Sequence, residues 1–253
     1  MSHPISPDPA DDTARECQPG LWLRGPAPRP LADYRLAAFD MDSTLIGIEC
    51  IDEIAAATGR QAEVAAITEA AMRGEIADFR DSLRRRLALL RGTPAAVLET
   101  VLRDRLRLNP GVEVFVAACR AAGLKTLLVS GGFSYFADPV RARLQIDFAR
   151  ANALEVVDGR LTGALRPQPW GEIVDGAEKR RTLLEVADLM RIEPAQTIAV
   201  GDGANDLPMM AAAGLSIAFH AKPAVRAQAR IAITAGGLDR ALALLGPGPV
   251  SGS

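Results

Sequence analysis

Three apolar runs in this chain each stop at a polar, glycine-bearing segment, and that recurrence narrows the folds open to it. Leu36-Ala37-Ala38-Phe39 runs into Asp40-Met41-Asp42-Ser43-Thr44, and Thr126-Leu127-Leu128-Val129 runs into Ser130-Gly131-Gly132. Thr197-Ile198-Ala199-Val200 runs into Gly201-Asp202-Gly203-Ala204-Asn205-Asp206. Short apolar runs of this kind read as strands buried on both faces. Leu215-Ser216-Ile217-Ala218 and Ile231-Ala232-Ile233-Thr234 read the same way, with a helix from Glu178 to Leu189 among the elements between strands. Strands separated by helices predict an α/β fold with a parallel sheet. Ligands bind outside the carboxyl ends of strands in such sheets, so the three polar segments are expected to meet at one edge.

Residues from Ile51 to Leu108 differ in character. Alanine, leucine, arginine and glutamate recur there at helical spacing, with breaks at Gly74 and Gly92-Thr93-Pro94, which predicts an insert of three or four helices. Asn109-Pro110 then supplies an expected N-cap and first helical residue, and Gly123 closes that helix. Leu154 to Val157 and Arg160 to Thr162 flank Asp158-Gly159 as a predicted hairpin. Residues 1–30 read as a flexible N-terminal arm whose only apolar cluster, Leu21-Trp22-Leu23, is a candidate to dock on the core, and residues 246–253 as a disordered tail. The remainder divides into a core of residues 31–48 and 109–245 and an insert of residues 49–108.

The chain is 49% hydrophobic over 253 residues, enough for a sizeable core, and its net charge of −2 suggests neither nucleic acid nor an anionic membrane as partner. The expected partner is a small-molecule substrate. Cys17, Cys50 and Cys119 form no metal-type or redox-type spacing, and His3 and His220 are too few for a histidine-rich zinc site. No secretory leader pattern or long apolar span is visible, so a cytoplasmic location is expected.

At one sheet edge, Asp40, Asp42, Asp202 and Asp206 would repel unless a cation joined them. Oxygen-rich sites of this kind suit Mg²⁺ rather than zinc. Glycine amides admit an anion, and Lys179 at a helix start offers a balancing charge. The set suits phosphoryl transfer. Singly, the motifs are ambiguous. Asp-x-Asp also occurs in sugar-nucleotide transferases, calcium loops and ordinary turns, and Ser-Gly-Gly in flexible turns. A dinucleotide-binding reading fails because Asp206 stands where the third glycine of Gly201-x-Gly203 would fall.

In their order, Asp40-Met41-Asp42-Ser43-Thr44, Ser130-Gly131-Gly132-Phe133, Lys179 and Gly201-Asp202-Gly203-Ala204-Asn205-Asp206 resemble the four motifs of the haloacid dehalogenase superfamily. Ile48-Glu49-Cys50-Ile51-Asp52-Glu53-Ile54-Ala55, Ala71-Met72-Arg73-Gly74-Glu75, Ser82-Leu83-Arg84-Arg85-Arg86 and Phe219-His220-Ala221-Lys222-Pro223 resemble, more narrowly, its members that act on phosphoserine. The resemblance implies a Rossmann-like parallel-sheet core with a helical cap inserted after the first strand. It implies Mg²⁺-dependent hydrolysis of O-phospho-L-serine to L-serine and phosphate, the last step of serine biosynthesis. The alternative is a phosphatase or phosphotransferase of the same superfamily acting on another small ester or acceptor, such as homoserine.

The resemblance also implies roles. Asp40 is the nucleophile that forms an aspartyl-phosphate, and Asp42 is the acid and then the base. Asp40, the backbone carbonyl of Asp42 and Asp202 hold Mg²⁺, with Asp206 in support. Ser130, the Gly131 amide and Lys179 hold the phosphoryl oxygens, and Asn205 helps to orient the group. Glu49 pairs with the substrate ammonium and Arg86 with its carboxylate. Met72 and Phe79 shield the site when the cap closes. An arm of about 30 residues is too short to form the regulatory domain found before the first motif in many bacterial relatives, so that mode of regulation is expected to be absent.

Overall fold

The structure is a computed structural model that describes residues 14–246, apart from Gly74, Ala77, Glu172 and the side chain of Met72. Strands β1 (Arg15–Gln18), β2 (Leu21–Leu23), β3 (Leu36–Phe39), β4 (Lys125–Phe133), β5 (Phe148–Val157), β6 (Arg160–Arg166), β7 (Thr197–Gly201), β8 (Leu215–Phe219) and β9 (Ile231–Ile233) form one sheet. Their spatial order is β1-β2-β9-β8-β7-β3-β4-β5-β6. The pairs joining β9, β8, β7, β3, β4 and β5 are all parallel, as expected.

Strand β3 lies between β4 and β7 and is fully buried. Successive side chains alternate between the two faces of a strand. Ala37 and Phe39 therefore enter one apolar cluster, while Leu36 and Ala38 enter the other. On the first face, helix α5 (Val112–Ala121) sends Phe115 edge-on against Phe39, with ring centroids 6.1 Å apart. On the second face, helix α7 (Gly176–Leu189) contributes Leu183. Burial on both faces explains why the strands read as unbroken apolar runs.

Four helices lie between β3 and α5: α1 (Cys50–Ala57), α2 (Gln61–Met72), α3 (Phe79–Leu89) and α4 (Ala96–Asp104). They form the helical cap. The link from α3 to α4 pairs with the β5–β6 hairpin through Gly92 N to Leu161 O and Leu161 N to Thr93 O, each at 2.8 Å. The hairpin thus supports the cap from the core side. Helix α6 (Ser134–Leu144) follows β4 and packs Phe136 and Val140 into the first cluster.

Three expectations need correction. The expected arm splits. Residues 1–13 lie outside the described residues, but β1 and β2 form an antiparallel hairpin that joins the sheet against β9. Leu21 and Leu23 alternate into the core and are no more than 1% exposed, which anchors the hairpin. Residue Asn109 is not an N-cap. Helix α5 begins after Gly111, and Asn109 Nδ2 instead donates to the carbonyls of Ser43, Thr44 and Ile46. Strand β4 does not stop at Val129 but continues to Phe133. Of the expected tail, residues 247–253 lie outside the described residues.

Candidate active site

Parallel register brings the polar segments together. Phe39 lies opposite Leu128 on one side and Val200 on the other, so the residues that follow emerge at the same edge. Asp40 N donates to Val200 O at 3.0 Å, holding the first residue of the site in the sheet's pattern.

Lys179 is the centre of the cluster. Its Nζ donates to Asp206 Oδ1 at 2.6 Å and lies 2.7 Å from Asp40 Oδ1. The second contact is an ion pair that leaves Asp40 Oδ1 without an aligned hydrogen bond. Lys179 and Asp206 are both wholly buried. Against the cost of that burial, Asp206 and Asp40 raise the Lys179 pKa and keep it charged. The other oxygen of Asp206 accepts the backbone N–H groups of Asp202 and Gly203, at 3.1 and 3.0 Å. Asp206 thereby shapes the turn after β7. The turn is tight: a Cβ on Gly201 would stand 2.5 Å from Asp206 Cγ, so only glycine fits.

Ligand oxygens of Asp40, Asp202 and Asp206 all lie within 4.8 Å of one another. One lysine does not balance three carboxylates. Burial, and then Asp206, raise the pKa of Asp40 well above the usual range, while Lys179 pulls the other way. Burial and Asp206 likewise push Asp202 up to about 7. Three hard carboxylate donors crowded in this way fit a divalent cation such as Mg²⁺. Asp206 already spends both oxygens on the protein, so Asp40 and Asp202 are the freer donors.

Asp42 sits beside the glycines of β4. A Cβ on Gly132 would stand 2.8 Å from Asp42 Oδ2, so glycine allows this approach. The Gly132 N–H donates to Ser130 Oγ at 2.9 Å. Burial and the nearby Glu49 charge push Asp42 up to about 7, and its Oδ1 has no hydrogen-bond partner. Asn205 lies in the turn between Asp202 and Asp206, and its backbone carbonyl lies 2.8 Å from where a Cβ would stand on Gly176 at the start of α7.

Cap residues reach the same edge. The Phe79 ring lies over Gly131, with Cζ 3.0 Å from where a Cβ would stand there. Glu49 precedes α1 and accepts a hydrogen bond from Ser43 Oγ at 2.6 Å. Ser43 has a left-handed backbone, φ 58°. Arg86 lies in α3, where burial lowers its pKa against the attraction of Asp52, Glu49 and Asp42. Met72 ends α2, and its side chain lies outside the described residues.

Sequence reasoning missed three supporting contacts. Thr44 Oγ1 donates to Asp202 Oδ1 at 2.9 Å across the site. Its place two residues after Asp42 was a usable signal. Cys50 acts on Asp42, lowering its pKa against the effect of burial, and Asp52 stands by Arg86. Neither contact has a local signature, since both depend on how the cap folds over β3.

Comparison with known proteins agrees with this geometry. The family model of haloacid dehalogenase-like hydrolases matches residues 37–211. A phosphoserine phosphatase of Polaromonas sp. is 61% identical over 91% of this chain and 98% of the relative. A phosphoserine phosphatase of Albidiferax ferrireducens is 60% identical over 90% of this chain and 97% of the relative. A solved phospho-aspartyl intermediate analogue of phosphoserine phosphatase superposes with a TM-score of 0.77 at 38% identity, covering 84% of this chain and 99% of the other.

Proposed function

This chain belongs to the haloacid dehalogenase-like hydrolases, in their phosphoserine phosphatase branch, and from that premise we propose how its residues hydrolyse O-phospho-L-serine. The observation that carries the reading is the Asp40–Lys179–Asp206 cluster at the ends of β3 and β7, with Asp42 two residues from Asp40. Asp40 attacks phosphorus, forming an aspartyl-phosphate as the phosphorus–serine oxygen bond breaks. Asp42 gives its proton to the departing serine oxygen, which would otherwise leave as a poor alkoxide. A pKa of about 7 supports that role, because a large share of Asp42 is protonated at neutral pH. Water then attacks phosphorus, Asp42 takes its proton, and Asp40 is released with phosphate.

Ser130, the Gly131 amide and Lys179 bind the phosphoryl oxygens, with Asn205 helping to orient the group. Asp40, Asp202 and the carbonyl of Asp42 would hold Mg²⁺, with Asp206 behind them. When bound, Mg²⁺ supplies charge that offsets repulsion between the carboxylate and the phosphate. Glu49 pairs with the substrate ammonium and Arg86 with its carboxylate. Phe79 and Met72 exclude water when the cap is closed. The reaction is the last step of serine biosynthesis. The cytoplasm is the compartment we assign: Cys17, Cys50 and Cys119 are unpaired, which suits reducing surroundings.

Phosphate release from phosphoserine, phosphothreonine and a sugar phosphate, with Mg²⁺ and with chelator, tests the proposal. Phosphoserine should be preferred and chelator should stop turnover. Equal rates on the sugar phosphate would reject the substrate assignment.

A further inference from the structure

We infer that Asn152 is a positioning residue for the phosphate-binding segments, holding Gly131 and the approach to Lys179 in one register. The inference rests on the proposal that Ser130, Gly131 and Lys179 bind the phosphoryl group.

Asn152 interrupts an apolar stretch, Ala151-Asn152-Ala153-Leu154, in the middle of β5. It is 1% exposed. A buried amide there is costly unless both of its ends are paired. Both are: Nδ2 donates to Gly131 O at 2.7 Å, and Oδ1 accepts from Val174 N at 2.8 Å. The two partners also fix the amide's orientation, since the flipped form would set donor against donor and acceptor against acceptor.

What Asn152 holds is a bulge. Pairing of β4 with β5 passes from Ser130 opposite Ala151 straight to Phe133 opposite Asn152. Gly131 and Gly132 leave the ladder between those pairs, and the Asn152 amide supplies a donor to the Gly131 carbonyl. Bulges re-aim the backbone, and one held by a side chain aims it reproducibly. The other partner, Val174, precedes Asp175, which caps α7 by accepting from Glu178 N at 2.8 Å. Lys179 ends the first turn of that helix. The segments also touch: a Cβ on Gly131 would stand 3.2 Å from Val174 O. One side chain thus spans the two stretches that carry the phosphate-binding groups.

Two variants test this. Asn152→Asp keeps the size and the acceptor for Val174 N–H but places an acceptor against the Gly131 carbonyl. Asn152→Ala removes both bonds. Calorimetric titration with inorganic phosphate and, separately, with L-serine is read in Mg²⁺, alongside thermal unfolding. Loss of one buried hydrogen bond corresponds to weaker phosphate binding by about tenfold. Serine binding should change by less than about twofold, because Glu49 and Arg86, which hold serine in the proposed function, share no hydrogen bond with Asn152. Wild-type phosphate affinity in a folded variant would overturn the inference, as would equal losses for phosphate and serine. Asn152→Ser is read by the same criteria if the aspartate variant does not fold. A wild-type protein that binds phosphate but neither serine nor phosphoserine would instead reject the substrate assignment, while the phosphate affinities still decide the role of Asn152.

Discussion

Arg80, in the first turn of the cap helix α3, donates from Nε to Asp175 Oδ2 at 2.6 Å. Asp175 is the N-cap of α7, the helix that carries Lys179. Cap and core are therefore joined at a residue that also sets the start of a site helix. The pair is partly exposed, so its worth is about 1 kcal/mol at most. Arg80→Ala should raise KM for phosphoserine by up to about fivefold with kcat less affected, because the closed cap loses one tie. Steady-state kinetics decide it; an unchanged KM would show that the tie contributes nothing to closure.

Asp40→Asn should reduce turnover by at least about a thousandfold, since a neutral amide is not a competent nucleophile. The fold should persist. In metal-free protein the substitution removes one member of a crowded carboxylate group whose pKa is raised chiefly by burial and Asp206. Thermal unfolding in chelator should therefore show a midpoint equal to or above that of the parent chain. Normal turnover by a folded variant would reject the nucleophile assignment.

Mg²⁺ should raise the unfolding midpoint, because an ion that binds only the folded state stabilises it by about 2.7 kcal/mol at a hundredfold excess over Kd. Asp202→Asn should remove most of that increment while leaving the midpoint in chelator little changed. An increment that survived in the variant would exclude Asp202 from the ion's donors.

Arg86→Lys keeps the charge but loses the planar fork that matches a carboxylate. The expected fall in kcat/KM for phosphoserine is about tenfold, with a smaller fall for a phosphate ester lacking the carboxylate. Equal losses on both esters would assign Arg86 to cap structure instead.

Asp147 ties the start of β4 to the start of β5. Its oxygens accept from Lys125 Nζ at 2.6 Å and from Thr126 N and Oγ1 at 2.9 Å each. Against the cost of partial burial, these donors hold its carboxyl below the usual carboxylate range. The sign follows from linkage. A depressed folded pKa gives stability that is present above the unfolded value, about 3.9, and lost as pH falls through the folded value. Acid unfolding of Asp147→Asn should be less steep below about pH 4, and its midpoint at neutral pH lower, than in the parent chain. Identical acid limbs would show that Asp147 carries none of the acid sensitivity.

Much of the site was legible because its chemistry is written locally. The Asp40–Asp42 pair, the glycines near Ser130 and the Asp202–Asp206 turn each follow an apolar strand, and parallel pairing leaves such ends few places to go. The N-terminal hairpin was less legible. Leu21-Trp22-Leu23 is too short to read as a strand alone, and becomes one between β1 and β9. Asn109 looked like a cap because its neighbour is proline, yet three carbonyls of a distant loop claimed its amide.

Fold class, helical insert and the residue types gathered at the sheet edge all follow from the order of residues along the chain. These depend on periodicity and on neighbours a few positions away. The tertiary structure decided how those residues sit against one another. It set Lys179 between Asp40 and Asp206, turned Gly131 and Gly132 into a bulge held by Asn152, and placed Arg80 on Asp175. Each of those outcomes depends on strand register and burial across long stretches of chain. Desolvation and charge proximity, which raise the pKa of Asp40, Asp42 and Asp202, arise only once those stretches meet.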